Sequence, residues 1–197
     1  MRYKSYLILV GGLIAALGCA DLALGQKNHA GRRRKDPFAA FKKAAEREFN
    51  FLEADYGFRK APAKIQTIKW AGITSCVISY RNATTEVNLH YDLNAALWVE
   101  VSRLEQERPG VLVPGEGYNV EYLIKACCPG EAVGRKHGPY SDEDVGGLLN
   151  AYARVLREHG RGVLAGDFDI FPRLRSIVDD EVRGRPSLDA QAPDKQP

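Results

Sequence analysis

Apolar and polar positions change their period along the chain, and each change marks a different kind of element. Phe38, Phe41, Ala45, Phe49 and Leu52 recur at helical spacing, with Lys42, Lys43, Glu46, Arg47 and Glu53 between them. Asp36-Pro37 ahead of this run offers an N-cap acceptor and then a proline at the first helical position. Gly57 is placed to end the helix in a left-handed conformation. From residue 64 the period falls to two. Residues 65–70 and 74–80 are rich in β-branched and aromatic side chains and read as strands. Residues 85–91 set Val87, Leu89 and Tyr91 on one face and Glu86, Asn88 and His90 on the other. In the next strand Leu97, Val99 and Val101 alternate with Trp98, Glu100 and Ser102. The connections 81–84 and 92–94 are short enough only for hairpins, which predicts an antiparallel meander with one covered and one wetter face.

Past residue 108 the pattern becomes helical again in two or three pieces. Residues 109–117, with Pro-Gly and Pro-Gly-Glu-Gly, read as a loop. A short helix over 119–126 leads to Cys127-Cys128-Pro129-Gly130 and a second loop through Tyr140. Ser141 followed by Asp144 resembles a capping box. Val145, Leu148, Leu149, Tyr152, Val155 and Leu156 then form an apolar stripe that stops before Gly160. A last helix is predicted over 171–182, with Pro172 tolerated in its first turn. The expected fold class is α+β: an N-terminal helix, a four-stranded antiparallel meander, then two or three C-terminal helices packed on one sheet face. One domain over residues 36–183 accommodates all of this, with residues 184–197 as a disordered tail. No internal repeat occurs.

Residues 1–25 are of a different kind. Arg2 and Lys4 precede an apolar run over 6–17, and small residues follow. This is the layout of a secretory signal peptide, with Ala23-Leu24-Gly25 as the cleavage site and Gln26 as the first mature residue. Ala16-Leu17-Gly18-Cys19 also resembles a lipoprotein signal, with Cys19 as the lipidated residue. The run is shorter than the ~20 residues that a transmembrane helix needs. The basic linker over 26–35 ends in Arg32-Arg33-Arg34-Lys35, which opposes translocation and suits an uncleaved anchor instead. A start codon called too early would leave the protein cytoplasmic. Export to the envelope, the periplasm or the medium leads among these readings.

Composition narrows the partners. The chain of 197 residues is 45% hydrophobic and 27% charged, ordinary for a globular domain. Its formal charge of +3 comes from the N-terminus, because residues 36–197 hold 21 Lys/Arg against 24 Asp/Glu. A mildly acidic domain lacks the basic face that nucleic acid requires, so no nucleic-acid partner is expected. Membrane contact is expected only through the N-terminal segment.

Chemistry-bearing residues are sparse. Of the four histidines, His29, His90, His137 and His159, none lies at zinc-ligand spacing from another His or a Cys. His90 fits a polar sheet face, His137 a charged loop, and His159 the cation-favouring end of a helix. With Cys19 removed or lipidated, Cys76, Cys127 and Cys128 remain, and an oxidising compartment permits Cys76 to pair with either of the other two. Asp167 and Asp169 form a carboxylate pair at a helix start, where acid–base chemistry and backbone capping both call for Asp. Asp179-Asp180-Glu181 is a solvated helix end. Asn82-Ala83-Thr84 matches a glycosylation acceptor, a common motif. The catalytic candidates are therefore Asp167, Asp169, His90 and Cys128. No cofactor or metal site is expected.

Several stretches taken together resemble small uncharacterised bacterial α+β proteins, some of them immunity-type partners of toxins. They are Phe51-Leu52 with Tyr56-Gly57-Phe58, residues 76–80, Val87-Asn88-Leu89, Trp98-Val99-Glu100-Val101 with Arg103-Leu104, and residues 164–168. The resemblance implies a protein partner and supplies no catalytic residues. The Pro/Gly-rich stretch 109–140 and the export-type N-terminus depart from that cytoplasmic pattern. Three functions are thus in play: a non-enzymatic protein-binding module, a small envelope hydrolase using the four candidates, and a structural envelope protein. An enzyme should gather its candidates in one pocket, whereas a binding module should scatter them and present a broad surface.

Overall fold

A computed structural model describes residues 36–68, 72–93, 96–128 and 139–184. The signal-type segment with Cys19 and Gly25, the basic linker, His29, His137 and most of the tail lie outside the described residues. Helix α1 (Ala39–Tyr56) opens the fold. It begins two residues later than the proline suggested. Asp36 Oδ1 accepts from the Phe38 amide at 2.9 Å, and the Ala39 amide donates to the Asp36 carbonyl, so Asp36 closes a turn ahead of the helix. Its other end is as expected. Gly57 sits at φ 66°, and the Gly57 and Phe58 amides both donate to the Leu52 carbonyl.

The strands are β1 (Arg59–Lys60), β2 (Lys64–Ile68), β3 (Ile73–Arg81), β4 (Thr85–Asp92), β5 (Leu97–Arg108) and β6 (Val111–Asn119). All pair antiparallel in the order β1-β3-β4-β5-β6, with β2 also on β3. β1 and β2 share one edge of β3 and behave as a single strand interrupted at Pro62, which has no amide to donate. The sheet therefore has six strands among the described residues, not four. Two causes explain the difference. A two-residue strand such as β1 has no periodicity to read. The expected loop over 109–117 is mostly β6, because Pro109-Gly110 makes a tight turn with Gly110 at φ 78°. Pro114 and the glycines of β6 are tolerated because this is an edge strand. Gly117 is also required by close approach, since a Cβ there would lie 2.2 Å from Ser102 Oγ.

Four further helices follow: α2 (Val120–Cys127), α3 (Asp142–His159), the single turn α4 (Arg161–Leu164) and α5 (Phe171–Gly184). The Asn119 side chain caps α2 by accepting from the Glu121 amide. Ser141 and Asp144 form the expected capping box of α3. The core lies between helices and sheet. Phe41, Ala45, Phe49 and Leu52 of α1 meet Ile78 and Tyr80 of β3, Val87 and Leu89 of β4, Val99 and Val101 of β5, and Leu149, Tyr152 and Leu156 of α3. Each large side chain so buried contributes on the order of 1.5–3 kcal/mol.

Two polar contacts lock elements that packing alone would leave free to slide. Glu48 of α1 is buried, accepts from Asn150 Nδ2 at 2.7 Å and from Arg47 Nε at 2.6 Å, and its own carbonyl accepts from Arg157. Burial opposes its ionisation, but these donors prevail and hold its carboxyl below the usual carboxylate range. At the far end, the β3–β4 hairpin docks on α4. Asn82 Nδ2 donates to the Leu164 carbonyl, and the Thr85 hydroxyl donates to that of Val163. The nitrogen that a glycan would need is thus committed to the fold.

Candidate functional site

The four sequence candidates do not converge. Asp167 and Asp169 are both exposed in the turn between α4 and α5. Asp167 Oδ1 accepts from the Asp169 amide at 3.0 Å, so its role here is to close that turn. His90 projects from β4 on the face turned away from the helices. Cys128, just after α2, packs against the helix-side core instead. Among the described residues no group of three or more His, Cys, Asp or Glu is arranged to hold a metal ion.

Two places remain where side chains are set up for contact. The first is the sheet face on which no described helix packs. The strand residues that enter the core, Cys76, Ile78 and Tyr80, Val87, Leu89 and Tyr91, Leu97, Val99 and Val101, all come from one face. Among the described residues the opposite face adds Leu104 as a buried apolar side chain, and it stands outside that core. Register builds it in rungs: Arg81–Glu86–Ser102, Ser79–Asn88–Glu100 and Val77–His90–Trp98. Within it the Ser79 hydroxyl donates to Asn88 Oδ1 at 2.6 Å, and the Ser102 hydroxyl donates to Glu100 Oε1 at 2.9 Å. His90 stacks flat on Trp98, with centroids 4.6 Å apart and an interplanar angle of 1°. Burial pushes the His90 imidazole down to about 4. Glu86 is only 2% exposed and takes Arg81 Nε on Oε1, while Glu86 Oε2 and His90 Nε2 are buried with no hydrogen-bond partner. Buried polar atoms without partners are uncommon, because each forfeits its hydration.

The second place is a pair that sequence reading missed. Cys128 Sγ lies 3.3 Å from His159 Nε2. The two are 31 residues apart, and no spacing rule links them. They meet because α2 and α3 pack side by side and both end at this corner. The tautomer of His159 decides which of the two atoms donates. Glu158 Oε2 stands 3.8 Å from the same His159 nitrogen, so it adds negative charge there and does not orient the ring from Nδ1. Cys76 and Cys127 are thiols as well. The pairing of Cys76 with Cys127 or Cys128 is not made. Cys76 is sealed in the core beneath α1, where burial raises its pKa, and Cys127 faces solvent.

One further concavity, of about 490 Å³, opens between α1 and the broken edge strand, against Lys42, Glu46, Lys60, Pro62 and Ile78. Its lysines are already engaged, Lys42 by Asp36 at 2.8 Å and Lys60 by Glu46 at 2.5 Å. It therefore holds no free charge for a ligand. Among the described residues no helix is long and apolar enough to cross a membrane. Comparison of the chain with protein-family models, with curated proteins and with solved structures finds no match, so the assignment of function rests on this geometry.

Proposed function

We propose that this domain is a non-enzymatic protein-binding module that uses the sheet face on which no described helix packs. One observation carries the reading. That face takes no part in the core, yet its polar side chains are held in fixed geometry around the His90–Trp98 stack. Pre-ordered side chains lose little entropy on contact, which is what a recognition surface requires. Eight residues of β4 span about 27 Å, and four paired strands about 19 Å. The projected area of about 500 Å² falls short of the ~800 Å² per partner of a standard interface. The β5–β6 hairpin extends the surface, with Glu105 and Glu107 exposed and Leu112 43% exposed.

The carboxylate of Glu100 on the face, and those of exposed Glu105 and Glu107 beyond it, select a partner with a basic surface. Complementary charge would speed the encounter more than it tightens the complex. A toxin held by an immunity-type protein has this chemistry, and the resemblance noted above supports such a partner. We further propose that the domain is exported, on the strength of the signal-type segment.

Crosslinking in the producing cells, read by mass spectrometry, tests the binding role with two variants. Glu100→Lys with Glu105→Lys reverses charge on the proposed surface. Lys43→Glu with Arg154→Glu does so on the exposed sides of α1 and α3. Crosslinks from β4 and β5 to one protein, lost in the first variant and kept in the second, are the expected outcome. Crosslinks that survive the first variant, or that never involve the sheet, overturn the reading.

A further inference from the structure

The geometry points to Cys128 as a reactive thiol, with His159 as its base, that forms a mixed disulfide with a low-molecular-weight disulfide. This inference is independent of the sheet face, which lies on the other side of the sheet. Its basis is selective. Of the three thiols among the described residues, Cys76 is buried and Cys127 is exposed. Only Cys128 combines partial exposure with a ring nitrogen at 3.3 Å. His159 is itself 29% exposed, so the pair opens to solvent and to a small reactant.

The step balances as follows. His159 Nε2 takes the proton from Cys128 Sγ. The thiolate attacks one sulfur of the disulfide RSSR, a new Sγ–S bond forms, and the old S–S bond breaks. The leaving RS⁻ takes up the proton from His159 and departs as RSH. The Cys128 sulfur rises by one oxidation state as the leaving sulfur falls by one, so the probe disulfide is the oxidant. The ring nitrogen at 3.3 Å is placed to take the thiol proton, and the thiolate is the nucleophile.

The test uses the full chain carrying Cys19→Ser and Cys127→Ser, with 4,4′-dithiodipyridine as the probe disulfide and peptide mapping to place the adduct. At pH 6, Cys128 is expected to react about tenfold faster than an unpaired model thiol, the gain in thiolate outweighing its lower nucleophilicity. His159→Gln should remove that advantage. The pH–rate profile of the His159-containing chain is the second readout, and it holds even if the glutamine variant fails to fold. Its midpoint should lie well below the ~8.5 of an ordinary thiol. A midpoint at or above that value, an adduct on Cys76, or a rate unchanged by His159→Gln overturns the assignment.

Discussion

His90 shows how far surroundings can move a single side chain. The flat stack on Trp98 and burial on the sheet hold its imidazole neutral down to about 4. Along β4 it lies between Asn88 and Asp92, with Glu86 further on, and Val77 and Trp98 stand opposite on the neighbouring strands. An unfolded histidine titrates near 6.5. Between pH 6.5 and about 4, therefore, the unfolded chain binds a proton here that the folded chain refuses. Stability from this group is complete above pH 6.5 and is lost as pH falls through that window, with a slope approaching 1.4 kcal/mol per pH unit. His90→Phe keeps a ring on Trp98 and abolishes the titration. Urea unfolding at pH 7 and pH 4.5 should show a smaller acid loss in the variant than in the parent chain. Equal losses would mean that His90 is hydrated and titrates normally.

At the scale of elements, the α1–α3 contact is where polar chemistry aligns two apolar stripes. Either stripe could rotate or slide by a turn and still bury its leucines and phenylalanines. The Glu48–Asn150 hydrogen bond, with Arg157 on the Glu48 carbonyl, selects one alignment. Asn150→Leu leaves Glu48 buried with one donor fewer, and should cost about 1–3 kcal/mol. Adding Glu48→Leu removes the orphaned charge, so the double variant should recover part of that loss. A double-mutant cycle by thermal or denaturant unfolding reads the coupling, expected at about 0.5–3 kcal/mol. Additive losses would show that the alignment is set by apolar packing alone.

For the whole molecule, the division between segment and domain is the feature with consequences for location. Among the described residues, every core residue lies between Phe38 and Leu174. The apolar run over 6–17, with Arg2 and Lys4 ahead of it, has the layout of an export address. Intact mass and fractionation of the protein from a bacterial host should find it in the envelope or the medium, beginning at Gln26 or at a lipidated Cys19. A cytoplasmic chain that keeps residues 1–35, or one that begins near Asp36, overturns export.

The repeating side-chain periods alone determined the α+β class, helix α1 with its Gly57 stop, the core faces of β3, β4 and β5, and the Ser141–Asp144 cap. Each of these depends on neighbours within a turn or a rung, and such local patterns survive in a linear string. Tertiary structure decided the rest. β6 was hidden because proline and glycine read as loop, and only its position at the sheet edge makes them harmless. β1 was too short to carry a period. Asp167 and Asp169 were legible as a carboxylate pair or as a backbone cap, and Asp167 accepts from the Asp169 amide in the turn, while the Cys128–His159 pair had no trace in spacing at all. Two residues meet across 31 positions only when packed helices end at the same corner, and that is a property of how stripes are buried, not of any one segment.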